Sequence, residues 1–245
     1  MGKRRRGYTN QGRRMTRQQR IRQRNRAILL LVLSVLVMII VAVAGYRLLF
    51  SKKADAQGAS ADVLSDEDWE GAPPLDVQLL TVNEYSRPGI PLEKVKGIVV
   101  HYTANPGSTA QANRNYFEGL KDDHTTKVSS HFVIGLKGEI IQCIPSSEIS
   151  YASNDRNSDT LSIECCHPDE TGKFTDETYQ SLVKLTSWLC SRFDVPVKEV
   201  IRHYDVTGKD CPKYFVENED AWKQFLKDVT AALEELKKGK DHESV

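Results

Sequence analysis

The chain has 245 residues and a formal net charge of +1, which hides an uneven distribution of charge. Residues 1–50 contain twelve Lys and Arg and no Asp or Glu, whereas the rest of the chain contains 22 basic and 33 acidic residues, a net charge of −11. An acidic body without a surplus of basic residues excludes nucleic acid as the predicted partner. The length is sufficient for one or two domains.

The N-terminal part predicts a membrane anchor. Residues 1–26 form a basic tail, and the following apolar segment, 27–50, has no charged residue between 27 and 44. About 20 apolar residues are needed to cross a membrane, and the basic flank is expected to remain cytoplasmic. A cleaved signal peptide, with a weak cleavage site at Ala54–Ala56, is the competing interpretation. The length of the apolar run favours an uncleaved transmembrane helix, with the rest of the chain extracellular.

Residues 51–74 are polar and acidic and predict a flexible linker. From residue 75 the chain alternates between strand-like and helix-like patterns, which indicates an α/β or α+β domain around one sheet. Strands are predicted at 97–103, 161–166 and 199–206, two further strands at 131–144 around Leu-Lys-Gly, and helices at 110–120, 176–193 and 219–238. Residues 239–245 are predicted to be a disordered tail.

Five cysteines occur, an odd number, so they cannot all pair with one another. If Cys211 is a metal ligand, the other four could be buried thiols or could form disulfides. These are Cys143, Cys165, Cys166 and Cys190. The sequence leaves both possibilities open.

Three side chains are candidate metal ligands. His101 ends the first strong strand, His203 is predicted late in a strand before a loop, and Cys211 follows eight residues later, before Pro212. Zinc accepts imidazole nitrogen and thiolate sulfur, and catalytic zinc sites combine three protein ligands with an open position. The set fits this rule, although its spacing matches no zinc-finger pattern and a histidine at a strand end is also common as a packed or surface residue.

Four stretches occur in the order VVHYTANPG, SSHFVIGLKGEIIQCIP, TLSIECCHP and HYDVTGKDCP. In order and spacing they resemble the N-acetylmuramoyl-L-alanine amidase family, the type 2 amidases that include phage lysozyme-like amidases and peptidoglycan recognition proteins. The resemblance covers roughly residues 75–235. It implies that His101, His203 and Cys211 bind one Zn²⁺ ion in a surface groove of a central mixed β-sheet flanked by helices. A zinc amidase domain is therefore predicted over residues 75–238.

Glu164 is the candidate general base. Side chains alternate along a strand, so Glu164 faces opposite to Ile163 and Cys165, and a buried carboxylate there would need a partner. An exposed carboxylate on an edge strand is the alternative. One branch of the resembled family has a catalytic Glu in this strand, whereas others use a Tyr before the residue that matches His131. Here that position is Ser130, and this departure favours Glu164.

Two further residues receive roles from the resemblance. Lys209, two residues before Cys211, matches a lysine that lies near the metal, where a cation could stabilise negative charge on the attacked carbonyl oxygen. A solvated loop lysine is the alternative. His131 is predicted to bind substrate, with a supporting role behind the site or core packing as alternatives.

The resemblance implies a membrane-anchored extracellular domain that uses zinc to hydrolyse the amide between N-acetylmuramic acid and L-alanine in peptidoglycan. Three other functions remain open at this point. The domain could bind peptidoglycan without cutting it, could be a zinc peptidase of the stem peptide, or could be a structural ectodomain without metal.

Overall fold

The computed structural model describes residues 71–243. The predicted basic tail and membrane segment lie outside the described residues, as does the predicted linker up to residue 70. Within residues 71–243, no helix combines the length and the apolar character needed to cross a membrane.

One six-stranded mixed sheet organises the described residues, as predicted. The strands are β1 (Asp76–Val77), β2 (Gly97–Tyr102), β3 (Phe132–Ile134), β4 (Ile140–Gln142), β5 (Thr160–Cys165) and β6 (Val200–Arg202). Their order across the sheet is β1-β4-β3-β5-β2-β6. Only the β3–β4 pair is antiparallel among these pairings. Strands β2 and β5 therefore lie side by side in the interior of the sheet, where neighbours cover both of their edges.

Five helices accompany the sheet. They are α1 (Ala110–Asp123), α2 (Asp176–Phe193), α3 (His203–Thr207), α4 (Lys213–Glu217) and α5 (Glu219–Glu243). Helix α1 begins where the Thr109 side chain accepts a hydrogen bond from the backbone N–H of Ala112, and Thr175 caps α2 in the same way. Two short 3-10 helices, Asn154–Arg156 and Val197–Glu199, precede β5 and β6.

The two faces of the sheet carry different cores. Alternate residues of β2, β3 and β5, such as Val100, Phe132 and Ile163, belong to the larger core, which also contains apolar residues of α2 and α5. The opposite face carries a smaller cluster that includes Val133 and Phe117 of α1. Because the apolar cluster on this face is smaller than the one on the other face, polar side chains can lie here at the ends of β2 and β5.

The predicted hairpin is confirmed, because β3 and β4 pair in antiparallel register. The turn requires glycine at Gly138, whose φ is +80°, and a Cβ there would lie 2.9 Å from the backbone oxygen of Glu177. The predicted helix 176–193 matches the bounds of α2. Strand β1 and helix α4 are each short and were not predicted.

Two predicted boundaries are wrong. The chain forms strand only at Val200–Arg202 rather than over 199–206, because Asp205 accepts hydrogen bonds from the backbone and side chain of Arg202 and starts helix α3. Helix α5 continues to Glu243 rather than ending at residue 238, since Gly239 alone costs only about 1 kcal/mol in a helix. Ala72, near the end of the predicted linker, packs against the larger core.

Candidate metal centre

His101, Cys211 and His203 converge at one point on the less covered face of the sheet. Their ligand atoms all lie within 4.8 Å of one another, and no other such group of His, Cys, Asp or Glu occurs in the part of the chain that the structure describes. His101 comes from the end of β2, His203 from the first position of α3, and Cys211 from the connection between α3 and α4. All three residues are buried.

The His101 ring is oriented by contacts at both nitrogens. Nδ1 lies 3.8 Å from the Sγ atom of Cys211, and Nε2 lies 3.2 Å from the hydroxyl oxygen of Ser153. The ring centroids of His101 and His203 are 4.6 Å apart. The serine contact leaves Nδ1 directed towards the other two side chains.

His203 is held by a neighbouring loop. Its Nε2 atom lies 3.0 Å from Oδ1 of Asn154, so Nδ1 is the nitrogen that is available to a metal. Asn157 fixes this loop, because its Oδ1 atom accepts hydrogen bonds from the backbone N–H groups of Ala152 and Ser153. A partner on the second ring nitrogen orients a ligating histidine and sets its tautomer. Sequence reasoning missed Ser153 and Asn154, since no local pattern links this loop to residues 50 positions away.

The connection that carries Cys211 is tied to helix α3. The backbone N–H of Tyr204 donates to the carbonyl oxygen of Cys211 at 2.8 Å, and the N–H of Cys211 donates to the carbonyl oxygen of Lys209 at 2.6 Å. A backbone hydrogen bond therefore joins Cys211 to Tyr204, the residue that follows His203, and holds the two ligand residues together. The earlier placement of His203 in a strand is corrected: it starts a helix, and the helix directs it towards Cys211.

Burial favours the uncharged form of all three ligand groups at neutral pH. Burial lowers the pKa of His101 well below its usual range, with further lowering from His203 and Lys209, and burial also lowers the pKa of His203. Burial and the nearby Glu164 together raise the pKa of the Cys211 thiol to about 12, although the N–H of Tyr102 opposes the rise by donating to the sulfur. A divalent ion binds neutral imidazole and displaces the thiol proton, so burial excludes water without preventing ligation.

The donor set fits zinc. Two imidazole nitrogens and one sulfur are ligand types of catalytic zinc sites, which keep a fourth position open. Tetrahedral coordination at the usual bond lengths separates ligand atoms by roughly 3.3–3.8 Å. The present separations require only a small closing movement of the side chains.

Glu164 lies beside His101 in the sheet. The two residues are direct partners in the parallel β2–β5 register, so their side chains lie on the same face. Because β5 lies between β3 and β2, the alternative of an exposed carboxylate on an edge strand does not apply. The residue keeps partial exposure, but its Oε2 atom is buried and has no hydrogen-bond partner among residues 71–243. Burial raises the pKa of Glu164 to about 8, and Lys209 opposes the rise.

Lys209 is exposed, and its ammonium acts on the same groups. Its positive charge lowers the pKa of His101, of His203 and of the Glu164 carboxyl. These effects indicate that the ammonium lies near the convergence point. Lys209 thus supplies positive charge near the candidate metal centre.

His131 lies apart from the three ligands and is enclosed by protein. Its Nδ1 atom lies 3.0 Å from the Ser162 hydroxyl oxygen, and its Nε2 atom lies 2.8 Å from the carbonyl oxygen of Glu148. The residue is fully buried. Because both ring nitrogens have protein partners, this geometry leaves none for the predicted contact with substrate. We therefore expect His131 to stabilise the loop that precedes β3.

The pH dependence of stability tests this expectation. Burial lowers the pKa of His131 to about 4, whereas the unfolded chain takes up a proton near pH 6.5. Between these values the unfolded state binds more protons, so this contribution to stability falls as pH falls, by up to about 3 kcal/mol. Chemical denaturation from pH 7.5 to 4 should show this loss. The His131→Gln variant should lack that component, and an identical pH profile for both proteins would contradict the assignment.

The other cysteines do not form disulfides. Cys143, Cys165, Cys166 and Cys190 are buried free thiols, as is Cys211 in the absence of metal. The question that the sequence left open is therefore answered in favour of thiols.

A protein-family model described as N-acetylmuramoyl-L-alanine amidase matches residues 91–214, just over half of the chain. The chain belongs to the N-acetylmuramoyl-L-alanine amidase family. The matched region contains every residue of the candidate metal centre, and the resemblance found in the sequence is confirmed.

Curated members of this amidase family resemble the chain over one region. N-acetylmuramoyl-L-alanine amidase CwlL of Bacillus licheniformis is 36% identical over 165 residues, which cover 62% of this chain and 45% of that protein. N-acetylmuramoyl-L-alanine amidase BlyA of Bacillus subtilis (strain 168) is 33% identical over 175 residues, with 63% and 46% covered. The chain thus spans less than half the length of these relatives.

Solved structures support the amidase fold. The structure of PlyL superimposes with a TM-score of 0.56 at 24% identity, covering 64% of this chain and 97% of that chain. A mutant endolysin from Bacillus subtilis gives a TM-score of 0.55 at 25% identity, covering 64% and 98%. Nearly the whole of each of these two domains is matched by this chain.

Proposed function

We propose that this protein is a zinc-dependent N-acetylmuramoyl-L-alanine amidase that acts on peptidoglycan. The observation that carries the proposal is the convergence of His101, His203 and Cys211 within 4.8 Å, in a chain of the amidase family. The Glu164 carboxyl beside His101 supplies a group for proton transfer that a site for binding alone does not need.

Zinc held by the two histidines and the cysteine would supply Lewis-acid chemistry, which activates water and polarises a carbonyl group. Glu164 takes a proton from the attacking water at a carboxylate oxygen. It then passes this proton to the nitrogen that leaves as an amine. The new C–O bond replaces the C–N bond, which produces a carboxylate on the lactyl group and a free amino group on L-alanine.

The surroundings of Glu164 suit this exchange of protons. A general base works best when its pKa lies near the working pH, and burial moves the pKa of Glu164 upwards in this direction. Lys209 supplies positive charge near the centre, where negative charge develops on the carbonyl oxygen. Glu164 thus transfers the proton, and Lys209 stabilises the negative charge on the carbonyl oxygen, in the same reaction.

The proposal includes the membrane anchor predicted at residues 27–50, with the N-terminus in the cytoplasm and the amidase domain outside. The basic flank and the uncharged apolar run support it. Residues 51–70 would then connect anchor and domain, and a flexible chain of this length reaches about 25 Å. The enzyme would therefore act on peptidoglycan close to the membrane.

The test uses full-length protein in mild detergent, incubated with purified peptidoglycan. We expect new L-alanine amino termini to appear, without new reducing sugar ends. The release should stop with a chelator and return when zinc is added. Cleavage within the stem peptide would show new amino termini on other residues and would indicate a peptidase. Binding to peptidoglycan without any new termini would indicate a recognition module, and either result would reject the proposal.

A further inference from the structure

A lysine surrounded by aromatic rings lies near the candidate metal centre. The Nζ atom of Lys127 is 5.7 Å from the ring centroid of Tyr151 and 6.0 Å from that of Tyr85. Tyr85 in turn stacks on His124, with centroids 4.5 Å apart and ring planes at 11°. We refer to Tyr85, His124, Lys127 and Tyr151 as the lysine–tyrosine cluster. None of these four residues takes part in the proposed mechanism.

The backbone connects this cluster to the metal centre. Tyr151 precedes Ser153 by two residues, a distance of at most about 7 Å, and the hydroxyl oxygen of Ser153 lies 3.2 Å from Nε2 of His101. The backbone N–H of Tyr151 donates to Oγ of Ser129, and the N–H of Ser129 donates to the carbonyl oxygen of Tyr151. These bonds fix the backbone of Tyr151 next to the loop that contacts His101.

Lys127 is held on its other side as well. The N–H of Val128 donates to the carbonyl oxygen of Tyr85 at 3.1 Å, so the segment with Lys127 runs between the two tyrosines. Attraction between the ammonium and the ring faces restricts the long side chain. The lysine therefore loses less conformational freedom on binding a ligand than a freely solvated lysine does.

The charge of Lys127 is not neutralised within residues 71–243. The side chain is exposed, and its contacts there are with the two tyrosine rings rather than with a carboxylate. By contrast Arg87, which also lies near this loop, is paired with Glu148 at 2.7 Å. In a chain whose residues after 50 carry a net charge of −11, an unpaired cation beside the site favours an anionic ligand.

The arrangement of the rings distinguishes an anion from a sugar. A sugar ring binds to an open aromatic face, but Tyr85 is stacked on His124 and also lies under the ammonium of Lys127. The same ammonium lies over Tyr151. Lys127 is exposed, whereas both tyrosines are only partly exposed, so the cluster presents a cation to solvent, which recognises a carboxylate.

We propose that the lysine–tyrosine cluster binds a carboxylate of the peptidoglycan stem peptide, close to the bond that is cut. This inference rests on the proposed function, because that function places the peptide beside the metal centre. Two residues of extended peptide span about 7 Å, so a carboxylate on the second residue of the stem remains close to the bond that is cut. The free carboxylate of a γ-linked glutamyl residue, second in the stem after L-alanine, is the ligand of suitable chemistry and position.

The experiment measures equilibrium binding of two peptides to full-length, zinc-loaded protein in mild detergent. One peptide is L-alanyl-γ-D-glutamyl-L-lysine, and the other has the glutamyl α-carboxylate replaced by an amide. We expect the unaltered protein to bind the first peptide more tightly. The Lys127→Gln variant should weaken that binding roughly fivefold and should abolish the difference between the peptides.

Two variants control for charge and for position. Lys127→Arg keeps the positive charge and should stay within about twofold of the unaltered protein. Lys227→Gln makes the same change of charge on helix α5, which packs on the opposite face of the sheet, and should have no effect.

Equal affinity of the unaltered protein and Lys127→Gln for the carboxylate peptide would overturn the inference. The inference would also be overturned, in favour of a sugar subsite, if Lys127→Gln left peptide binding unchanged. In that case it would weaken the binding of a disaccharide of N-acetylglucosamine and N-acetylmuramic acid relative to the unaltered protein. Both peptides lack the scissile bond, so the result holds whether or not the protein cleaves peptidoglycan. A failure of the proposed function appears separately, in the absence of new L-alanine termini.

Discussion

The Glu164→Gln variant is expected to lose amidase turnover by about 10²–10⁴-fold while it continues to bind zinc. The amide has nearly the shape of the carboxyl group but cannot accept the proton of the attacking water. It also cannot return that proton to the leaving nitrogen, so both halves of the proposed proton transfer fail together. The measurement is the initial rate of release of L-alanine amino termini from purified peptidoglycan, together with zinc content.

This substitution should leave the fold intact, because Glu164 forms no ion pair with the residues that the structure describes, and its Oε2 atom has no hydrogen-bond partner among them. Burial already disfavours the charged form, as the raised pKa of this carboxyl indicates. A neutral amide therefore removes an unfavourable charge rather than a stabilising contact, and the melting temperature should not fall.

A matched control is Glu93→Gln, at an exposed position before β2. It makes the same chemical change outside the metal centre and should keep full turnover. Full turnover of Glu164→Gln would reject the proposed role. A loss of zinc in this variant would instead assign Glu164 to metal binding.

The Cys211→Ala variant is expected to lose both zinc and turnover. The thiolate is one of three ligands, so its removal should weaken zinc binding by more than the about 10–100-fold that follows loss of a group supporting a ligand. Purified protein should then contain much less than one zinc ion per chain. Zinc should raise the melting temperature of the unaltered protein, because it binds only the folded state, and this rise should disappear in the variant.

Cys190→Ala provides the comparison. Cys190 is also a buried free thiol, but it belongs to the larger core on helix α2, on the other side of the sheet. Its replacement leaves a small cavity and lowers stability somewhat, while zinc content and the effect of zinc on melting should remain. If Cys211→Ala kept one zinc ion with unchanged affinity, the metal centre proposed for this family member would be wrong.

Local pattern was sufficient for much of the fold. The β-branched run before His101 predicted a strand that the structure confirms at Gly97–Tyr102, and the helical spacing of Leu182, Leu185 and Leu189 predicted α2. The strand is readable because burial on both faces requires a continuous run of apolar residues, and the helix because burial on one face imposes a period of about 3.6 residues.

Prediction from the local sequence pattern failed where one polar side chain changes the direction of the backbone. His203 follows a strand-like run, yet Asp205 caps the next residues and turns them into helix α3. The contacts of Ser153 and Asn154 with the candidate ligands were also missed. They join positions 52 and 49 residues apart, a separation over which no local period operates.

The sequence by itself determined three things: the residue types that can bind zinc, the resemblance to the amidase family, and most of the longer strands and helices of the domain. Only the tertiary structure decided that three ligand atoms meet within 4.8 Å, that Glu164 lies in an interior strand beside His101, and that His131 is closed off from solvent. It also brought Lys127 between two tyrosines on the flank of the centre. The reason is that the order and register of the strands set these distances, and they depend on packing across the whole sheet.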